Sequence, residues 1–143
     1  MSGNAFRDAV KDYIESWSKN NNLNIDIEME KVVGYRFVGS LRKVDIVLHK
    51  NGKFLGIECK YQEVEGTAYQ KLIYTLDDCK NTPIPCIIAF SGNGIKHDVK
   101  SKLITSGMGI EVNFINGKIV EKPFPVLLQR IAIELGINWL KMF

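Results

Sequence analysis

The 143-residue sequence contains only three cysteines and two histidines. The cysteines, Cys59, Cys79 and Cys86, are odd in number and form no Cys-x-x-Cys pair. These facts argue against a zinc site of known spacing and against a disulfide framework. The sequence also lacks an apolar run of the roughly 20 residues that a membrane-spanning helix needs. Residues 1–4 lack the basic and apolar regions of a signal peptide. We therefore expect a cytoplasmic protein with no membrane segment.

The composition is that of an ordinary globular protein, 45% hydrophobic and 24% charged, so the chain can bury one substantial core. A chain of this length has the usual size of one domain. No internal repeat or linker interrupts it, and we expect residues 1–143 to form a single domain. The net charge of +3 is compatible with nucleic-acid binding but too small to argue for it alone.

The N-terminal half predicts a helix followed by three antiparallel strands. Apolar residues at helical spacing form one stripe across residues 4–19. Strict alternation of apolar and polar residues over 23–30 then predicts a half-buried strand. Two further strands, at 43–50 and 53–60, flank Asn51-Gly52, which is the strongest short signal for a two-residue hairpin turn.

The C-terminal half predicts a helix over 67–80 and then a strand over 84–90 that is apolar on both faces, as in the interior of a sheet. A third helix ending near residue 107, a strand over 110–115, an Asn116-Gly117 turn and a short strand follow. The last element is an amphipathic helix from Pro125, with Leu128, Ile131, Leu135 and Trp139 facing inward. The predicted fold class is α/β, a mixed central sheet flanked by helices.

The hairpin turn predicts which residues face each other across the second and third strands. In a two-residue loop Lys50 pairs with Lys53, so paired residue numbers sum to 103, and Asp45 and Glu58 satisfy that sum. An unbulged hairpin would place these two carboxylates directly opposite each other as a close, non-hydrogen-bonded pair. Lys60 lies two residues beyond Glu58 and therefore on the same face.

Two facing carboxylates repel each other and destabilise a sheet unless a counter-ion joins them. Oxygen ligands of this kind suit a hard divalent cation such as Mg²⁺. Lys60 adds a positive charge beside the same point, and a metal ion with a lysine is suited to phosphodiester hydrolysis. The alternative is that Asp45 and Glu58 are solvated carboxylates on an exposed face. Apolar neighbours on both strands favour the functional interpretation, because charge is costly in buried strands.

The run Val44-Asp45, twelve residues and then Glu58-Cys59-Lys60 resembles the signature of the PD-(D/E)XK nuclease superfamily. Valine stands where the motif has proline. The element order over residues 4–114 is similar to that family's αβββαβ core, the restriction-endonuclease-like fold, here with an added C-terminal helix. The resemblance implies that Asp45, Glu58 and the backbone carbonyl of Cys59 bind the metal and that Lys60 is the catalytic lysine.

Two weaker matches extend the resemblance. Gln70 and Tyr74 are similar to the Gln-x-x-x-Tyr motif of the exonuclease-like branch, which would make Gln70 a further catalytic residue. Equally, Gln70 could complete a helix cap and Tyr74 could belong to the core. Many family members carry a metal-binding acid on the first helix, for which Asp8 and Glu15 are the candidates here.

The sequence thus predicts a DNA endonuclease that uses Mg²⁺ or Mn²⁺, of restriction, resolvase or phage type. A second hypothesis is a non-catalytic nucleic-acid-binding or assembly subunit that retains the fold. A third is a small interaction domain that binds neither metal nor DNA. The wide apolar face of the C-terminal helix predicts either a lid over the sheet or the interface of a homodimer.

Overall fold

A computed structural model describes residues 3–36, 39–64 and 68–141, apart from the side chains of residues 3, 68–70 and 141. The elements in chain order are helix α1 (Gly3–Asn20), strands β1 (Asp26–Tyr35), β2 (Leu41–Lys50) and β3 (Lys53–Tyr61), helix α2 (Ala68–Lys80), strand β4 (Cys86–Ser91), helix α3 (His97–Thr105), strands β5 (Gly109–Glu111), β6 (Asn113–Ile115) and β7 (Lys118–Val120), helix α4 (Val126–Leu135) and a 3₁₀ turn (Trp139–Lys141).

The main sheet has five strands in the order β1-β2-β3-β4-β5. The first three strands are antiparallel neighbours, whereas β3 and β4, and then β4 and β5, run parallel. Every residue of β4 is buried, as the sequence predicted for a strand inside the sheet. The predicted α/β class and mixed sheet are confirmed.

Helices cover both faces of this sheet. One hydrophobic cluster joins α1 and α4 to alternate residues of β2 and β3, and we call this side of the sheet the α1 face. A second cluster joins α2 and α3 to the opposite side, which we call the α2 face. Of the predicted stripe of α1 (Phe6, Val10, Tyr13, Ile14 and Trp17), all residues are buried in the first cluster except Tyr13, which packs against it partly buried. Helix α4 packs there too, which supports its interpretation as a lid.

The C-terminal region differs from the prediction in two places. The predicted strand over 110–115 is two strands, because β5 belongs to the main sheet whereas β6 pairs with β7 in a separate two-stranded sheet. Helix α4 ends at Leu135 because Gly136 adopts a left-handed conformation with φ of 70°. Trp139 lies in the 3₁₀ turn and packs partly buried against the first cluster. Within the part of the chain described, no helix is both long and apolar enough to cross a bilayer.

The hairpin between β2 and β3 has the predicted register. Lys50 pairs with Lys53, and the pairing continues without a shift as far as Ile46 and Ile57. Asn51 and Gly52 have φ values of 56° and 73°, the two positive angles that a type I′ turn requires. The sequence therefore determined which residues of these strands are neighbours.

Candidate active site

Strand β2 departs from regular geometry at Asp45. The ladder with β3 ends at Ile46 and Ile57, one step before Asp45 and Glu58. Val44 and Val47 both pack on the α2 face, whereas Ile46 lies on the α1 face. Strict alternation would put Val44 on the α1 face with Ile46, so the alternation breaks beside Asp45. The prediction of an unbulged hairpin is therefore wrong at this point.

The neighbouring strand is irregular at the same level. In the ladder between β1 and β2, Met29 pairs with Ile46 and Lys31 with Val44, but no pair joins Glu30 to Asp45. Glu30 has a φ of 51°, a conformation that non-glycine residues seldom adopt. Asp45 consequently has no ladder partner on either side, and its side chain is free to occupy the gap.

The Asp45 carboxylate fills the gap between β2 and β3. Its Oδ2 accepts a hydrogen bond of 2.8 Å from the backbone N–H of Cys59. In a regular antiparallel ladder that N–H would donate to a backbone carbonyl of β2. The N–H and C=O of one strand residue point towards the same edge, so the Cys59 carbonyl is also directed towards the gap.

Glu58 and Lys60 lie on the α2 face of β3. The parallel register pairs Glu58 with Ile88 and Lys60 with Phe90, and both of these β4 residues belong to the α2-face cluster. Glu58 is buried and Lys60 half-buried. The Cys59 side chain points the opposite way, into the α1-face core. The predicted alternation of these three side chains is what the structure shows.

The acids interact electrostatically. Burial, followed by the negative charge of Asp45, raises the pKa of Glu58, while the charges of Arg42 and Lys60 oppose that rise. Burial, followed by the charges of Asp45 and Glu58, also raises the pKa of the Cys59 thiol well above its ordinary range. Cys59 therefore remains a protonated core residue, and only its backbone faces the gap.

Arg42 forms an ion pair with Glu58 that the sequence did not predict. Its Nη1 lies 3.0 Å from Glu58 Oε1, and the two side chains are only 4% and 9% exposed. Its Nε donates to the hydroxyl of Thr82, which follows α2. The sequence does contain a signal for its burial. Arg42 lies two residues before the apolar Val44, so the two side chains point to the same face of β2.

Several oxygens at this point have unused hydrogen-bonding capacity. Asp45 Oδ1 and Glu58 Oε2 form no hydrogen bond or ion pair with a residue that the structure describes. Among the described residues, the side-chain atoms that are both buried and without a partner do not include these two oxygens. Both oxygens are therefore exposed to water. Within the described ranges no cluster of three acidic, histidine or cysteine side chains could enclose a metal ion. Two carboxylates and a carbonyl still fit Mg²⁺, which retains waters and takes ligands from its phosphate substrate.

The other sequence candidates lie outside this cluster or outside what is described. The side chain of Gln70 is not among the described residues, and Tyr74 is 64% exposed rather than part of the core. On α1, Asp8 pairs with Arg7, and Glu15 pairs with lysines on its own helix. Both acids are thus engaged by basic residues of α1, whereas the charge of Arg7 interacts with Asp45.

The loop after β4 has a structural explanation. Gly92 has a φ of 113°, and a Cβ atom there would lie 2.0 Å from the carbonyl oxygen of Gln62. Gly94 donates its N–H to the same carbonyl. The glycines therefore allow two backbone segments to approach each other closely at this turn.

A comparison with known protein families identifies a match for most of the chain. A family model described as a PD-(D/E)XK nuclease superfamily domain matches residues 2–111. Among solved structures, the chain is similar to a crystal structure of a protein of unknown function, AF1548. The two share 12% sequence identity and a TM-score of 0.47, with 86% of this chain and 78% of that chain covered. No curated protein matches the sequence.

Proposed function

Because this chain belongs to the PD-(D/E)XK nuclease superfamily, we propose that it is an endonuclease that hydrolyses phosphodiester bonds of DNA with Mg²⁺ or Mn²⁺ as its cofactor. The observation that carries the proposal is the gap at Asp45. There β2 gives up its ladder pairing, the Asp45 carboxylate accepts a hydrogen bond from the N–H of Cys59, and the charges of Asp45 and Lys60 both act on Glu58. A protein selected for stability alone would close such a gap.

Each residue has a defined task in this proposal. Asp45 Oδ1, Glu58 Oε2 and the carbonyl of Cys59 would hold the metal ion, which when bound would polarise the phosphate and lower the pKa of a water. Lys60 forms no ion pair with any residue in the described ranges. Its ammonium is therefore available to orient the attacking water and to balance the charge that develops on the phosphate.

Cleavage of DNA tests the proposal. Supercoiled plasmid and branched DNA are incubated with Mg²⁺, Mn²⁺ or EDTA, and the wild type is compared with Lys60→Ala. We expect metal-dependent cleavage that falls by about 10²–10³-fold in the variant. Lys53→Ala is the matched control, because Lys53 is an exposed lysine at the other end of the same strand. Equal cleavage by the wild type and Lys60→Ala would refute the role of Lys60.

A non-catalytic nucleic-acid-binding subunit is the second candidate. The observation that favours it is the buried pair of Arg42 and Glu58, which neutralises one of the two acids without a metal ion. This candidate predicts DNA binding that weakens with salt but no cleavage under any metal condition. Neither binding nor cleavage would favour the interaction domain.

The homodimer, the cytoplasmic location and the single-domain organisation stay predictions. For the dimer, the measurement is the molar mass in solution, with and without DNA, by light scattering. A dimer would suit an enzyme that cuts both strands of a duplex.

A further inference from the structure

The surroundings of Arg42 are unusual for a buried arginine. Its guanidinium donates to Glu58 Oε1, to Thr82 Oγ1 and to the carbonyl of Lys43. Its Nη2 is buried and has no hydrogen-bond partner among the residues that the structure describes. Buried polar atoms normally have at least one hydrogen-bond partner, so an Nη2 without one is an exception that a purely structural arginine would not be expected to show.

We propose that Arg42 is a resident cation of the metal site and competes with the metal ion for Glu58, an inference that rests on the proposed function. The guanidinium occupies Oε1 and leaves only Oε2 for a metal ion. Glu58 would therefore bind the metal through one oxygen, or through both only if Arg42 moves away. Arg42 is thus a positioning residue rather than a catalytic one.

The charges in the site support the competition. The two carboxylates, Asp45 and Glu58, carry two negative charges, and Arg42 and Lys60 carry two positive charges that also act on Glu58. The four side chains together are neutral, so a divalent cation gains little from their net field. Removing the charge of Arg42 would leave a net negative charge at the same oxygens. Metal affinity without DNA should then increase.

Direct metal binding tests this inference without using activity. Mn²⁺ is titrated into the DNA-free protein, followed by calorimetry and by the loss of the free-ion signal in electron paramagnetic resonance. The titration is carried out in a mildly alkaline buffer. We expect Arg42→Gln to bind Mn²⁺ at least about tenfold more tightly than the wild type, and Arg42→Lys, which keeps the charge, to stay close to it. Equal or weaker binding by Arg42→Gln would overturn the inference.

Arg130→Gln is the matched control, since Arg130 also forms a 3.0 Å ion pair, with Glu134 on α4. Its Mn²⁺ affinity should equal that of the wild type. If Arg42→Gln does not fold, the wild-type protein provides the test. The ¹⁵Nε resonance of Arg42 should shift on addition of Mg²⁺ if the ion displaces the guanidinium, and an unchanged resonance at saturating Mg²⁺ would refute displacement.

Failure of the inference can be separated from failure of the proposed function. Asp45→Asn should abolish Mn²⁺ binding in the wild-type and Arg42→Gln backgrounds alike. If it does not, the ion binds elsewhere and the proposed site itself is wrong. If Asp45→Asn acts as expected but Arg42→Gln binds no more tightly, only the role of Arg42 is refuted.

A separate observation concerns two of the three cysteines. Cys79 at the end of α2 and Cys86 at the start of β4 are both buried, and their sulfur atoms lie 3.2 Å apart. Two sulfurs this close need to approach by only about 1 Å to reach the bond length of a disulfide, about 2.05 Å. Cys59 lies on the opposite face of the sheet and cannot join this pair.

We infer that Cys79 and Cys86 are a site of disulfide formation that would connect α2 to β4. With hydrogen peroxide as the oxidant, the two thiols lose their hydrogens, one S–S bond forms and the peroxide is reduced to two waters. The hydrogen bond with Cys86, and then burial, raises the pKa of the Cys79 thiol. Because the thiolate is the reactive form, oxidation should be slow in the native protein and faster when α2 opens.

Thiol counting after peroxide treatment tests this site. The wild type should fall from three titratable thiols to one, and Cys59→Ser from two to none, with the protein remaining monomeric on non-reducing gels. Peptide mapping should find the cross-link between Cys79 and Cys86. Sulfinic acid at either residue without a cross-link, a bond involving Cys59, or three unreacted thiols would each overturn the inference.

Discussion

Replacing Asp45 by asparagine separates the fold of this protein from its metal site. The substitution removes one negative charge but keeps a side-chain oxygen that can accept the hydrogen bond from the N–H of Cys59. The gap between β2 and β3 therefore stays filled, whereas a metal ion loses one of its two carboxylates. We expect a folded protein that no longer responds to divalent cations.

The expected stability of the metal-free variant follows from two opposing terms. The charges of Asp45 and Glu58 repel each other, and two like charges at contact range repel by at most about 4 kcal/mol at an effective dielectric constant of about 20. Asp45 is half-buried, so water reduces that repulsion by about half. Exchanging a charge-assisted hydrogen bond for a neutral one costs about 1 kcal/mol. Without metal, Asp45→Asn should therefore be as stable as the wild type or up to about 1 kcal/mol more stable.

In the presence of divalent metal ions, the wild type should become more stable than Asp45→Asn. Mn²⁺ at about 100 times its Kd stabilises a protein that binds it only when folded by about 2.7 kcal/mol. In a chain of this size that corresponds to a rise in Tm of about 5–10 °C. Differential scanning calorimetry with Mn²⁺ and with EDTA measures both quantities. An equal rise in Asp45→Asn would refute the metal site, and a large loss of stability without metal would show that the Asp45 charge holds the fold.

Further predictions concern pH and the start of α4. Because the pKa of Glu58 is raised above its ordinary 4.5, its contribution to stability is fully present below 4.5 and is lost as pH rises through the raised pKa. Urea denaturation at several pH values should show this loss in the wild type but not in Glu58→Gln; parallel curves would contradict it. Metal-supported cleavage should decline as Glu58 becomes protonated, at a pH above 4.5, and higher Mn²⁺ should move that decline to lower pH. Tyr13→Phe should cost about 1 kcal/mol in urea denaturation, since its hydroxyl donates to Glu121 over 2.9 Å. Glu121→Ala should cost more, about 2–3 kcal/mol, because Glu121 also accepts from the N–H of Leu127; equal costs would contradict that assignment.

Local sequence patterns predicted most of the fold. Helical spacing identified α1 and α4, a run of apolar residues identified β4, and Asn51-Gly52 set the register of β2 and β3. Each of these patterns involves residues close together in the sequence, and the structure contains the element that each one predicted. The predicted strand over 110–115 was wrong as a single element because the choice between two sheets depends on distant partners.

The sequence by itself determined that Asp45, Glu58 and Lys60 belong to neighbouring strands and that Cys59 faces away from them, because a two-residue turn and strand alternation leave little freedom. Only the tertiary structure decided the break in β2 at Asp45, which requires both adjacent strands to give up a pair there. It alone showed the buried contact of Arg42 with Glu58, because that guanidinium is also held by Thr82, 40 residues away. Turn and strand geometry depends on residues close in the sequence, whereas the partner of a buried charge is determined only when the helices pack against the sheet.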